Sequence, residues 1–402
     1  MKNYVIKAPR IDHWMMILTL IDVLFLPYFF VVTITYTFLL VIWWYLKHRI
    51  EIKHDNRDYG IFRFLCLLMI MSSLVGVILD GSSFKDNAVY CLQYIAAFMH
   101  FYVFKYYFDR YSINLKPYLI WFVVFVVAFA VAFNFRRDVY YTLRGIWSPV
   151  QSVGLISTNE DFEMIGRFGF IWMDENNIAY MLNSVVMFLL CNERTSLAEK
   201  LFIIVCNIFV LIASMSRGGM LTFFIGAALI VFLKISGNGI RRTIRNKKKC
   251  LGYILFVGIV IFLFSYGPSY LQTDVSQASM ERLDSREDTR KKIYTYIIEN
   301  ANFEEYIFLG HGVRTLINGK PIKPHNIHFY LILVYGMIAW IIMMYMIFRK
   351  RRQTKLFEYI WIIPFFLGAS SNIIIGEEKA MSIAMLLLAA STSEKYLIER
   401  RD

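Results

Sequence analysis

Charge is scarce in this chain. Only 18% of its 402 residues are Asp, Glu, Lys or Arg, while 58% are hydrophobic and 17% aromatic. Soluble domains carry about a quarter charged residues. With a mean hydropathy of +0.50, the shortage excludes a soluble globular enzyme and points to a polytopic membrane protein. Paired cysteine motifs are missing as well. Cys66, Cys91, Cys191, Cys206 and Cys250 show no CxxC or Cys/His spacing, so neither a disulfide framework nor a zinc site is supported. Four fall in apolar runs and Cys250 in a basic loop. No metal or cofactor is expected. GxxxxGK-Ser/Thr, GxGxxG, HExxH and GxSxG patterns are also absent, which removes the usual nucleotide, zinc-protease and hydrolase signatures. No small-residue cleavage site follows the first apolar run, so that run is expected to remain as a signal anchor.

What the sequence does have is apolar length. Twelve runs suit membrane crossing, at 14–27, 28–46, 61–79, 88–105, 118–135, 177–191, 200–214, 219–234, 251–267, 326–348, 359–375 and 380–393. The expected fold is all-α: one membrane bundle over 1–402 with about 12 transmembrane helices. With the N-terminus in the cytoplasm, 28 of the 43 lysines and arginines fall inside and 15 outside. Orientation follows that bias, so both termini are expected in the cytoplasm. The net charge of +13 then sits mostly on cytoplasmic loops facing anionic lipid, and a nucleic-acid partner is excluded for want of a soluble basic face.

This topology places two long polar loops outside, 136–176 and the larger, partly helical 268–325. Between them, Ser216-Arg217-Gly218-Gly219 makes a tight turn where two spans end. An arginine between apolar segments is costly unless paired or solvated. It is read either as an anion-binding group or as a turn residue snorkelling to headgroups. His325 opens the run 326–348 after Pro321 and Pro324. There a helix N-terminus favours the neutral imidazole, which suits a general base. The alternative is an interfacial histidine bonded to a headgroup or loop carbonyl, and His311 and His328 lie nearby. Arg167 and the helical face Arg282, Arg286 and Arg290 offer forked donors for phosphate. Their other reading is a loop helix paired with its own carboxylates. Asp22 is the only carboxylate within a span and is expected to pair inside the bundle. No cytoplasmic domain exists to bind a nucleotide-sugar, so any glycosyl donor must already be in the membrane.

Three blocks of residues together resemble the O-antigen ligase/polymerase superfamily of bacterial membrane glycosyltransferases. They are Gly166-Arg167-Phe168-Gly169 with Asn176-Asn177, then Ser216-Arg217 through Leu221. The third runs from Arg290 through Gly310-His311-Gly312 to His325-Asn326, Leu331 and Gly336. The resemblance implies a metal-independent transferase in the bacterial cytoplasmic membrane, with its active site facing outward and an undecaprenyl-diphosphate-linked oligosaccharide as substrate. Arg217 and His325 are the implied catalytic residues. Arg167, Arg290, Arg314 and Asn326 are implied contacts to diphosphate or glycan. The expected activity is polymerisation of repeat units into O-antigen or capsular polysaccharide, beside a chain-length regulator and a flippase of the same pathway. The alternatives are a ligase moving the finished glycan to lipid A core or another acceptor, and a lipid-glycan flippase.

Overall fold

The computed structural model describes residues 10–27, 35–55, 58–111, 113–147, 168–192, 194–237, 289–313, 316–317, 320–321, 324, 326–349, 359–371 and 378–393. These residues are overwhelmingly helical. In chain order the helices are α1 (Arg10–Phe25), α2 (Phe38–Lys47), α3 (Arg49–Asp55), α4 (Tyr59–Leu79), α5 (Phe84–Arg110), α6 (Lys116–Phe135), α7 (Arg137–Trp147), α8 (Glu175–Cys191), α9 (Leu197–Ser214), α10 (Arg217–Gly237), α11 (Thr289–Asn300), α12 (Ile327–Tyr335), α13 (Met337–Phe348), α14 (Ile362–Ser371) and α15 (Glu378–Thr392). A 3-10 turn at Phe303–Tyr306 and a two-residue antiparallel ladder, β1 (Leu316–Ile317) with β2 (Lys320–Pro321), lie between α11 and α12.

Some of the helices start where the sequence supplies an acceptor for their free N–H groups. Ser83 caps α5, Asp174 caps α8, and Ser196 with Glu199 forms a reciprocal capping box on α9, satisfying donors that would otherwise be orphaned. By length and composition, α4, α6 and α9 can each cross a membrane. On α4, Phe64, Leu67, Ile70, Leu74 and Ile78 are exposed. So continuous an apolar face is unfavourable in water and suits lipid.

About twelve spans were expected, and the described residues do not show that number. Residues 28–34 and the run 251–267 lie outside them. α5 is long enough to span but carries Lys85, Asp86, Lys105, Asp109 and Arg110. Its Tyr94, Phe98, Tyr102, Phe104 and Tyr107 are almost fully buried. From Gln93 to Phe108 nearly every side chain is buried or half-buried, as in an interior helix. α15, rich in alanine and serine, packs along it, as small residues allow close helix approach.

The third departure is a break. The run 326–348 is apolar throughout, yet α12 ends and α13 begins at Gly336, where φ is +93°. Breaking a helix frees backbone groups that lipid cannot satisfy. Here the segment 307–312 satisfies them. The N–H groups of His311 and Gly312 donate to the carbonyls of Leu333 (2.9 Å) and Val334 (3.1 Å), and the N–H of Ile338 donates to the Ile307 carbonyl (3.1 Å). The Ser72 hydroxyl of α4 donates to the Tyr335 carbonyl and accepts from the Gly310 N–H, both at 3.0 Å. A methyl group on Gly310 would overlap the Val334 carbonyl and the Tyr335 nitrogen. Gly310→Ala should therefore cost about 2 kcal/mol or more, visible as a lowered thermal midpoint of purified protein followed by tryptophan fluorescence.

Asp22 does find a partner inside the bundle. Lys379 of α15 is fully buried; its Nζ lies 3.2 Å from Asp22 Oδ1 and donates to the carbonyls of Asp22 (2.7 Å) and Leu26 (2.6 Å). The Thr37 hydroxyl donates to Asp22 Oδ2 at 2.8 Å. The pair ties α1 and the start of α2 to α15. Lys105 is a second buried cation, bonded to Asp109 and the Thr392 carbonyl.

Candidate functional site

The first and second sequence blocks meet at the adjoining ends of α8, α9 and α10. Asp174 Oδ1 accepts the N–H groups of Asn176 (2.9 Å) and Asn177 (2.7 Å), fixing the first turn of α8. The Asn176 side chain then accepts the Ser216 hydroxyl at 3.1 Å, and Ser216 Oγ accepts the Gly219 N–H at 3.2 Å. Met215, at φ +47°, turns the chain in the left-handed region, so α9 stops and α10 restarts at Arg217. The arginine is exposed on the first turn of α10. A cation at a helix N-terminus opposes the macrodipole. An anion bound there would meet both the guanidinium and the dipole favourably.

Tyr180 joins this turn to the third block. A methyl on Gly218 of α10 would overlap its hydroxyl, and a methyl on Gly368 of α14 would overlap the base of its ring. The ring thus fills the gap between the start of α10 and the last turns of α14. There Ser370 meets the entry of α12. Asn326 caps α12, accepting the His328 N–H (2.8 Å) and Phe329 N–H (3.3 Å), while its amide nitrogen donates to the Ser370 carbonyl at 2.8 Å. Asn176 and Ser216 at one end and Asn326 at the other are therefore linked through Tyr180 and the last turns of α14, although they are far apart in sequence.

His328 is held within this corner. The Trp340 indole, which can only donate, bonds its Nδ1 at 3.1 Å. Nε2 lies 2.9 Å from the Ser370 hydroxyl, whose own proton goes to the Phe366 carbonyl. The Nε2–H tautomer satisfies all three bonds. Its one basic nitrogen is thereby occupied, which makes His328 a structural residue and a poor proton acceptor.

Of the other predicted residues, Arg167, Arg314 and His325 lie outside the described residues, as do Arg282 and Arg286. Arg290 lies in the first turn of α11, within the outer loop 268–325 expected to be partly helical. That helix docks on α12, with Tyr294 against Phe329 at 5.8 Å and Ile297 packed with Leu333. His311 caps the break described above. Its Nδ1 also lies 3.3 Å from Asp80 Oδ2, and its ring packs on Tyr306 at 4.7 Å. Sequence reasoning missed this imidazole–carboxylate pair, since nothing in the spacing joins residue 80 to residue 311. It also missed Ser370, Tyr180 and the buried Arg144 of α7.

The O-antigen ligase family model matches residues 202–344. That is a little over a third of the chain. The match begins within α9 and ends within α13, so it takes in Arg217, Arg290, Arg314, His325 and Asn326 and leaves out Arg167. It supports the O-antigen ligase/polymerase superfamily without dividing polymerase from ligase. Together with the apolar helices it fits a membrane protein. A comparison of the sequence with curated proteins finds no match.

Proposed function

We propose that this protein is a membrane glycosyltransferase that polymerises undecaprenyl-diphosphate-linked repeat units at the outer face of the bacterial cytoplasmic membrane. The observation that supports the reading is the linkage of the Asn176–Ser216 turn to Asn326 through Tyr180 and the last turns of α14, with Arg217 and Asn326 inside the matched stretch. In the proposed reaction His325, the residue before Asn326, takes the proton from an acceptor sugar hydroxyl. The oxygen attacks the anomeric carbon of the donor, and the bond from that carbon to the diphosphate oxygen breaks. Undecaprenyl diphosphate leaves, and the arginines Arg217 and Arg167 stabilise the charge it gains. Arg290, Arg314 and Asn326 hold the diphosphate or glycan. No metal takes part in this scheme.

The ligase reading stays beside it, because the matching model is described as O-antigen ligase. Purified protein mixed with the lipid-linked repeat unit, resolved for glycan length on a gel, separates the two. A ladder of lengths on the lipid is the expected result. Transfer only after lipid A core is added would move the assignment to ligase. Donor left unconsumed under both conditions would contradict transferase activity and return the flippase reading.

A further inference from the structure

α7 turns two polar side chains inward. Tyr140 and Arg144, one helical turn apart, are both buried, while Val139 and Tyr141 on either side of Tyr140 are exposed. Tyr140 packs against Phe133 (5.1 Å) and Phe168 (6.0 Å). Its hydroxyl donates to the Gly169 carbonyl at 2.6 Å and accepts from Arg144 Nη1 at 2.8 Å. The Arg144 guanidinium lies against Gly169, where a methyl group would stand 3.3 Å from both Nη1 and Nη2.

A buried guanidinium is costly unless an anion meets it. Among the described residues no carboxylate pairs with Arg144, and its Nε has no hydrogen-bond partner. Asp138, the acidic residue of α7, is exposed and bonded instead to Arg136 at 3.0 Å. Tyr140 supplies no counter-charge either. Burial pushes its phenol up, so it stays protonated. Among the described residues the guanidinium is thus oriented by a neutral neighbour, with its Nε left over.

Its surroundings indicate what those donors face. Phe168, next to Gly169, donates its N–H to the Ala213 carbonyl at 3.0 Å, four residues before Arg217. The short segment 168–169 therefore touches Arg144 on one side and the last turn of α9, which leads into the Arg217 turn, on the other.

We infer that Arg144 is an anion-binding residue that receives a phosphate oxyanion beside the Arg217 turn. The assignment of that phosphate to the lipid-linked donor rests on the proposed function. The same oxyanion chemistry is offered by a phospholipid headgroup, and the test separates the two sources.

The full-length protein in detergent is titrated with inorganic pyrophosphate and, separately, with phosphatidylglycerol added to the micelles, while thermal unfolding is followed. Pyrophosphate should raise the midpoint of the wild type. Arg144→Gln should bind it at least about tenfold more weakly, as expected for loss of a charge-assisted bond. Arg144→Lys should fall between them, and Arg136→Gln should match the wild type. Should Arg144→Gln fail to fold, Arg144→Lys and Gly169→Ala decide: both must weaken pyrophosphate binding. Equal binding by wild type and Arg144 variants would overturn the inference. Stabilisation by phosphatidylglycerol alone would overturn its assignment to substrate. Binding needs no product, so a lost ladder with pyrophosphate binding intact would count against the proposed function and leave Arg144 standing.

Discussion

Arg217→Ala should lower donor turnover by roughly two to three orders of magnitude, the loss seen when one preorganised donor to a developing anion is removed. Arg217 occupies the first turn of α10, where the macrodipole disfavours a cation, and the side chain is exposed. Ser216 is committed to Asn176 and to the Gly219 N–H, and these bonds hold the turn. Thermal stability should consequently change by less than about 0.5 kcal/mol, as for ordinary surface substitutions. Arg217→Lys should recover part of the activity, since it keeps the charge but loses the fork. Turnover of lipid-linked donor, measured beside the thermal midpoint, checks both expectations. Wild-type turnover in Arg217→Ala would remove the residue from the reaction.

Lys379→Met should have the largest effect on folding. Removing one partner of a buried ion pair leaves the other charge without compensation, at a cost of about 3–5 kcal/mol. Among the described residues Asp22 would keep only its bonds from Thr37, and the carbonyls of Asp22 and Leu26 would lose the Lys379 donor. The variant should show little monodisperse protein by fluorescence-detected size exclusion. Asp22→Asn combined with Lys379→Met should restore part of it, because the orphaned charge is gone. A Lys379→Met protein as stable as the wild type would show that the pair does not hold α1 to α15.

Much of the helical outline was legible, because apolar length and helix caps are local. The runs 61–79, 118–135 and 200–214 became α4, α6 and α9, and a helix does start at Asn326, where the run 326–348 begins. The break at Gly336 was not legible. Every residue around it is apolar, and the groups that repair it come from Ser72 and residues 307–312. The partner of Asp22 was hidden for a similar reason: Lys379 stands one residue before the predicted run 380–393, and 357 positions from its carboxylate. Arg144 looked like one more cation in a polar loop. Only the packing of Tyr140 against Phe133 and Phe168 turns that side of α7 inward. Within the candidate site, the Ser216-Arg217 turn and Asn326 could be named in advance. Tyr180 and Ser370, which link them, could not, since contacts across helices leave no periodic signal.

The central claim is that chemistry occurs at the entry of α12, and His325→Ala tests it most directly. Wild-type and His325→Ala proteins, purified and matched for thermal midpoint, would be supplied with undecaprenyl-diphosphate-linked repeat unit, and release of undecaprenyl diphosphate followed over time. Release by the wild type and none above background by His325→Ala is the predicted result. Equal release from both proteins would contradict the assignment of His325 as the base.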